Sequence, residues 1–268
     1  SIVSTFNCEI VAVDLANQIF TAKLSVLPKT FTDNMSFTFT AEFGETSLPV
    51  AAVLNGSAFE TEITNLPMST EINLMLTYEQ DGIKQNEPLE PFSLPLDYFL
   101  LDIQSSCSRY SFYPLEQKLT FNNSDINTTI SFSKPFDPDS NLPYPYPISA
   151  SVQILINDEL YREYPIDLKN PSSGNSDTEP AEPAIASLSD SGSANVSSYF
   201  LGESYTTNIT EVITLQEGDS IKLVSVCEDS NHYKYIHTIV HEKLVGSTLV
   251  EATDWRDLHS TEIIYPHA

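Results

Sequence analysis

Hydrophobic residues recur at every second position along most of this chain. Phe20, Ala22, Leu24 and Val26 form one run, Phe37, Phe39, Ala41 and Phe43 a second, and Ile72, Leu74, Leu76 and Tyr78 a third. A period of two places those side chains on one face of an extended segment, because successive strand residues point to opposite sides. Turn signals separate the runs: Leu27-Pro28-Lys29, Thr32-Asp33-Asn34, Asn55-Gly56-Ser57, Asn65-Leu66-Pro67 and Asp81-Gly82. The step Gln80-Asp81-Gly82-Ile83 predicts a two-residue hairpin, since Asp-Gly tolerates the positive φ of a type I′ turn. The 17 Pro against 8 Gly add breakers that cannot sit inside helices. The expected fold is therefore all-β, as two antiparallel β-sandwich domains. The boundary falls at the connector Glu90-Pro91-Phe92-Ser93-Leu94-Pro95-Leu96, giving domains of residues 1–96 and 97–268.

The second part again reads as strands: Tyr98–Gln104, Arg109–Tyr113, Lys118–Asn122, Thr128–Ser133, Ile148–Ile156, Leu160–Ile166, Tyr205–Leu215, Ile221–Cys227, Tyr233–His241 and Ser247–Ala252. Asn157-Asp158 marks a further hairpin. Residues 170–198 break the pattern. They are rich in Ser, Pro, Ala, Gly, Asp and Glu, hold no Lys or Arg, and carry only Ile185, Leu188 and Val196 as large apolar residues. Such a segment cannot bury enough surface to offset its ordering entropy, and the sequence predicts a long, acidic, disordered loop inserted between strands of the larger domain.

Charge narrows the function classes. The chain has 12 Lys+Arg against 37 Asp+Glu, a formal net charge of −25, with 18% charged residues. That total is below the roughly 25% of ordinary domains, so bases are scarce more than acids are abundant. Nucleic acid is excluded as a partner, since phosphates are met by clustered Lys and Arg, and anionic membrane surfaces are excluded for the same reason. No run reaches the roughly 18 consecutive apolar residues of a membrane-spanning helix. Cys8, Cys107 and Cys227 contain no Cys-x-x-Cys pair. A Cys107–Cys227 bridge in an oxidising compartment and three buried apolar thiols both fit them. Residue 1 is not Met and opens no leader pattern, so an export signal or anchor is expected upstream of residue 1.

Leu66-Pro67, Thr70 and Ile72, followed by Leu74 and Leu76, are similar to the run entering strand F of a fibronectin type III module, and the first domain resembles the immunoglobulin-like and fibronectin type III group. The stretch from Ser4 to Pro28, with Glu79-Gln80-Asp81-Gly82-Ile83-Lys84, resembles the exported portion of Gram-positive single-pass surface proteins of unknown function. That resemblance implies an extracellular or cell-surface location.

Three clusters stand out as candidate sites. Asp137, Asp139 and Asn141 place oxygen ligands at alternate positions, as a calcium loop begins, although Leu142 stands where that loop needs Gly; a plain turn is the simpler reading, and calcium is the one cofactor these residues suggest. In Leu142-Pro143-Tyr144-Pro145-Tyr146-Pro147 alternating prolines hold an extended strap. Tyr144 and Tyr146 either face a glycan or protein partner from it or pack down as a lid. His237 and His241 share one face of an expected strand, about 13 Å apart at 3.3 Å per residue, too far for one metal ion. Nucleophile-elbow, dinucleotide and phosphate-loop signatures are absent. Glycosylation sequons occur at Asn34, Asn55, Asn122, Asn127, Asn195 and Asn208. The sequence thus points to a non-catalytic extracellular surface module for adhesion, glycan or protein binding, or assembly. Its alternatives are a carbohydrate-active hydrolase with paired carboxylates in the second domain and a structural subunit of a surface filament, pairing strand edges.

Overall fold

A computed structural model describes residues 2–32, 34–134, 142, 144–172, 199–253 and 258–266. The fold is all-β with several antiparallel sheets; the only helical element among the described residues is a 3₁₀ turn at Leu96–Phe99. Contacts divide the chain into two compact units, one running through Tyr98 and one starting at Phe99, two residues beyond the boundary expected from the prolines.

The first unit contains β1 (Val3–Asp14), β2 (Ile19–Pro28), β3 (Met35–Phe43), β4 (Thr46–Ala51), β5 (Val53–Asn55), β6 (Ala58–Pro67), β7 (Asn73–Gln80) and β8 (Ile83–Pro88). They form two four-stranded sheets in the orders β1-β2-β6-β5 and β4-β3-β7-β8. The alternating residues supply the core. Phe20, Ala22, Leu24 and Val26 of β2 and Phe37, Phe39 and Ala41 of β3 are buried. Phe37 of one sheet meets Phe59 of the other at 4.7 Å between ring centroids. Each fully buried ring or branched aliphatic side chain contributes about 1.5–3 kcal/mol, which is why the period-two pattern dominates every other signal. Asp81 and Gly82 adopt φ of 49° and 76° between the paired residues Gln80 and Ile83, the hairpin predicted from the sequence.

The second unit contains β9 (Leu101–Cys107), β10 (Ser111–Tyr113), β11 (Lys118–Lys134), β12 (Pro147–Ile156), β13 (Glu159–Pro165), β14 (Tyr199–Thr214), β15 (Ser220–Asp229), β16 (Lys234–Val245), β17 (Thr248–Glu251) and β18 (Thr261–Ile264). One sheet runs β10-β11-β14 with β9 also on β11; the other runs β13-β12-β15-β16-β17 with β18 also on β16. Asn157 and Asp158, at φ of 53° and 66°, turn β12 into β13 as predicted. Two expectations need correction. The two strands expected at Lys118–Asn122 and Thr128–Ser133 are one, β11, which absorbs the polar stretch between them through a register shift between Phe121 and Ser124. The sequence also places His237 and His241 on one face, yet β16 carries a bulge: Leu223 pairs with Val240 and Val224 with Thr238. His237 therefore lies across from Ser225 and His241 across from Lys222, three residues apart on β15 and so on opposite faces.

The outermost strand β9 pairs through one edge only, with β11. Its other edge is met by side chains of the opposite sheet. The Leu101 amide donates to the Tyr235 hydroxyl at 3.1 Å, and the Thr261 hydroxyl donates to the Ile103 carbonyl at 3.2 Å. Tyr235 in turn donates to Asp229 Oδ2 at 2.7 Å, while Asp229 Oδ1 accepts from the amides of Asn231 (2.8 Å) and Tyr233 (3.0 Å). Asp229 is 0% exposed, and burial pushes its carboxyl pKa up while these donated bonds pull it down. Nearby, Ser105, Thr128 and Ser225 join β9, β11 and β15 through hydroxyl contacts of 2.8–3.1 Å. In that closed set each hydroxyl can donate once and accept once.

Replacing Tyr235 by Phe keeps the ring but strands the Leu101 amide and Asp229 Oδ2. The expected cost is about 2–6 kcal/mol, from two buried groups at about 1–3 kcal/mol each. Urea denaturation of Tyr235→Phe checks it, with Tyr205→Phe, whose hydroxyl meets only the exposed Glu203, as a milder control.

Candidate functional site

Because no strand among the described residues covers the free edge of β9, a groove of about 610 Å³ is left there, lined by Asp102, Ile103, Gln104, Ser105 and Ser106 of β9 with His237, His259 and Thr261. Strand alternation decides what points into it. Leu101, Ile103 and Ser105 turn inward, while Asp102, Gln104 and Ser106 stand outward. Gln104 Nε2 donates to Asp102 Oδ2 at 3.1 Å, orienting a carboxylate and an amide side by side.

His237 is 4% exposed and fixed on the groove wall. The Thr261 hydroxyl has one hydrogen, given to Ile103, so at the 3.0 Å contact with His237 Nδ1 it accepts. That fixes the Nδ1–H form of the imidazole. The backbone of Ser105 beside the ring adds a small upward pull on its pKa. The His259 ring lies 6.3 Å away, tilted by 33°. Burial first, and the neighbouring His259 second, push the His237 pKa down, against a smaller upward pull from Asp102. An imidazole tied to Thr261 of β18 serves to shape the groove and offer a polar wall, since moving its proton would disturb the hydroxyl that caps the Ile103 carbonyl.

The groove opens onto a polar face. Across β9, β11 and β14 the outward rows are Asp102–Ser131–Gly202, Gln104–Thr129–Ser204 and Ser106–Asn127–Thr206. Cross-strand bonds hold Thr129 to Ser204 (2.9 Å), Thr206 to Asn127 (2.9 Å), Asn208 to Asp125 (3.0 Å) and Thr210 to Asn123 (3.1 Å). A Cβ at Gly202 would come within 3.0 Å of Ser131 Cβ, so glycine is what lets this end of the face stay flat. The sequons at Asn127 and Asn208 lie on it, on adjacent strands.

The residues singled out in the sequence lie elsewhere. Tyr144 is half-buried, stacked on Phe99 at 6.2 Å and on Phe132 at 6.3 Å. Tyr146 is 62% exposed, its backbone tied to Ser230 in the turn that Asp229 caps. Asp137, Asp139 and Asn141 lie outside the described residues, as does all of the acidic insertion beyond Ser172. Ser172 itself donates its amide to the Ser204 carbonyl. Cys8, Cys107 and Cys227 are all free thiols; burial pushes Cys8 up to about 11 and Cys227 up to about 12. Among the described residues no group of three or more His, Cys, Asp or Glu is placed to hold a metal ion. A separate carboxylate pair occurs where Glu242 faces Glu251 across β16 and β17. Glu242 accepts from the Tyr110 hydroxyl at 3.0 Å, its Oε2 is buried without a partner, and burial first and Glu251 last push its pKa up. No protein-family model matches the chain, and no curated protein matches it.

The depressed pKa of His237 makes a signed prediction. The unfolded chain takes up a proton near the ordinary value of 6.5 before the folded one does, so the stabilisation is complete above that pH and falls as pH drops toward the lower folded value. The stability difference between the parent and His237→Gln, followed by urea melts across this window, shrinks on acidification; a difference independent of pH would contradict the burial argument.

Proposed function

We propose that the chain is a non-catalytic, extracellular surface module of two immunoglobulin-like sandwiches, with the β9 groove and its polar face as a glycan-binding surface. The strand orders support the architecture. With β1–β8 lettered A, B, C, C′, D, E, F and G, the sheets are A-B-E-D and C′-C-F-G, and the second unit repeats A-B-E against C′-C-F-G through β9/β10, β11, β14 and β13, β12, β15, β16. The resemblance of Leu66-Pro67 through Leu76 to the entry of strand F agrees with their place at the end of β6 and in β7.

One observation carries the binding reading. A groove large enough for a sugar unit brings together a carboxylate, a carboxamide, hydroxyls and imidazoles, and continues onto a face of hydroxyls and amides already held in place by one another. Paired acceptors and donors suit vicinal hydroxyl groups, and fixed side chains lose little entropy when a ligand arrives. With −25 overall and no Lys or Arg lining the groove, a neutral glycan fits better than an anionic one. Tyr146 offers a second, aromatic contact on the exposed strap.

The hydrolase reading has one favouring observation, the Glu242/Glu251 pair with its raised carboxyl. A glycan and cell-wall panel separates the two. Asp102→Ala is expected to weaken binding by at least about tenfold through lost charge-assisted hydrogen bonds, and Tyr146→Ala by a smaller factor. Absence of binding by the parent, or full binding by Asp102→Ala, removes the groove as the site. Polysaccharide turnover lost in Glu242→Gln establishes hydrolysis instead.

A further inference from the structure

A second cavity, of about 310 Å³, belongs to the first unit and is lined by Ile2, Pro28, Lys29, Thr30, Thr32, Tyr78 and Gln80. In a chain with 37 acidic residues this lining holds none. It is instead a set of donors. Lys29 contributes an exposed ammonium, and no ion pair of Lys29 occurs among the described residues. The Tyr78 hydroxyl donates to Gln80 Oε1, which leaves the Gln80 NH₂ as a free donor group. Thr30 and Thr32 add hydroxyls, and Thr32 Oγ1 is buried with no hydrogen-bond partner among the described residues. A buried hydroxyl that lines a cleft and finds nothing in the protein is satisfied by whatever enters the cleft.

The neighbouring acids among the described residues are already engaged. Glu87 Oε2 accepts from the Ile2 amide at 2.7 Å, Glu79 pairs with Lys84 at 3.2 Å, and Asp81 accepts from Asn34 at 3.5 Å. At physiological salt the screening length is about 8 Å, so the distant part of the −25 charge is weak at this point while Lys29 acts at contact range. Ile2 and Pro28 supply an apolar patch beside the donors.

We propose that this cleft binds a ligand's carboxylate, set between Lys29, Thr32 and Gln80, with the short apolar group next to that carboxylate resting on Ile2 and Pro28. The site is independent of the glycan reading of the second unit. A peptide C-terminus and a sugar acid carry the same chemistry, and they are told apart by titrating the full chain, followed by NMR, with N-acetylalanine, glucuronate, N-acetylalaninamide and inorganic phosphate. Saturable shifts at Lys29, Thr32 and Gln80 with a carboxylate, absent with the uncharged amide, are expected. Lys29→Met is expected to weaken binding by at least about tenfold, as loss of a charge-assisted contact does. Thr32→Val is expected to raise the melting temperature of the free protein, by removing an unpartnered buried hydroxyl, while lowering affinity. A merely structural Thr32 would not move those two readouts in opposite senses. Tighter N-acetylalanine assigns a peptide terminus and tighter glucuronate a sugar acid. Equal binding of the amide, tighter phosphate, no saturable shift with either carboxylate, or an unchanged Lys29→Met overturns the proposal.

Discussion

A strand edge that is buried but not covered by another strand has to find its hydrogen bonds among side chains. That is the constraint β9 imposes on the second unit. Its residues 101 and 103 turn backbone groups away from β11, and Tyr235 and Thr261 meet them. Leaving one such group alone costs about 1–3 kcal/mol, comparable with a buried leucine, so these two side chains are as much part of the fold as the apolar core. Their consequences spread outward. Tyr235 needs an acceptor for its own proton and finds Asp229, whose second oxygen then shapes the turn that holds Tyr146. Because side chains space the sheets farther apart than strand pairing would, the groove follows from the same arrangement.

Other sheet edges are managed in ways that bear on assembly. β1 carries two register shifts, β4 contains Pro49, β5 is three residues long, and β8 ends in Pro88 with Lys84 near its start. The β12–β13 ladder shifts register between Ile154 and Leu155, and β16 is flanked by β17 and β18 at its two ends. Prolines, bulges, short strands and covering segments are the usual obstacles to adding another chain. β14, which pairs only with β11 among the described residues, keeps the longest open edge.

Strand character and the hairpins at Asp81-Gly82 and Asn157-Asp158 were legible because they depend on local chemistry: alternation against one core, and residues that tolerate positive φ. The continuous β11 was hidden because Asn122 to Asn127 looks like a loop; its polar side chains are accommodated by partners on β14, more than 70 residues away in sequence. The bulge at Ile239 left no mark either, and it alone reverses the side on which His241 stands. The groove brings Asp102 and Gln104 to His237 and Thr261, a separation that no spacing rule covers. Its one sequence clue was that all five histidines follow residue 230, two of them on the groove wall.

The scarcity of bases has a structural counterpart. Where many proteins pair a carboxylate with Lys or Arg, this one repeatedly uses a neutral donor: Asn17 for Asp14, Asn157 for Asp219, Asn170 for Asp167, and Ser151 with Gln153 for Glu163. In each case the side-chain hydrogen bond from a neutral group is the leading cause of a lowered carboxyl pKa, so the ionised form is favoured chiefly by uncharged donors. Such contacts are screened less by salt than ion pairs are, because one partner carries no net charge. Their stabilisation is present above the ordinary carboxylate range and fades as pH falls through the lowered values. A chain that satisfies its own carboxylates with amides and hydroxyls presents a surface of the same groups, and that is the chemistry that lines the β9 groove.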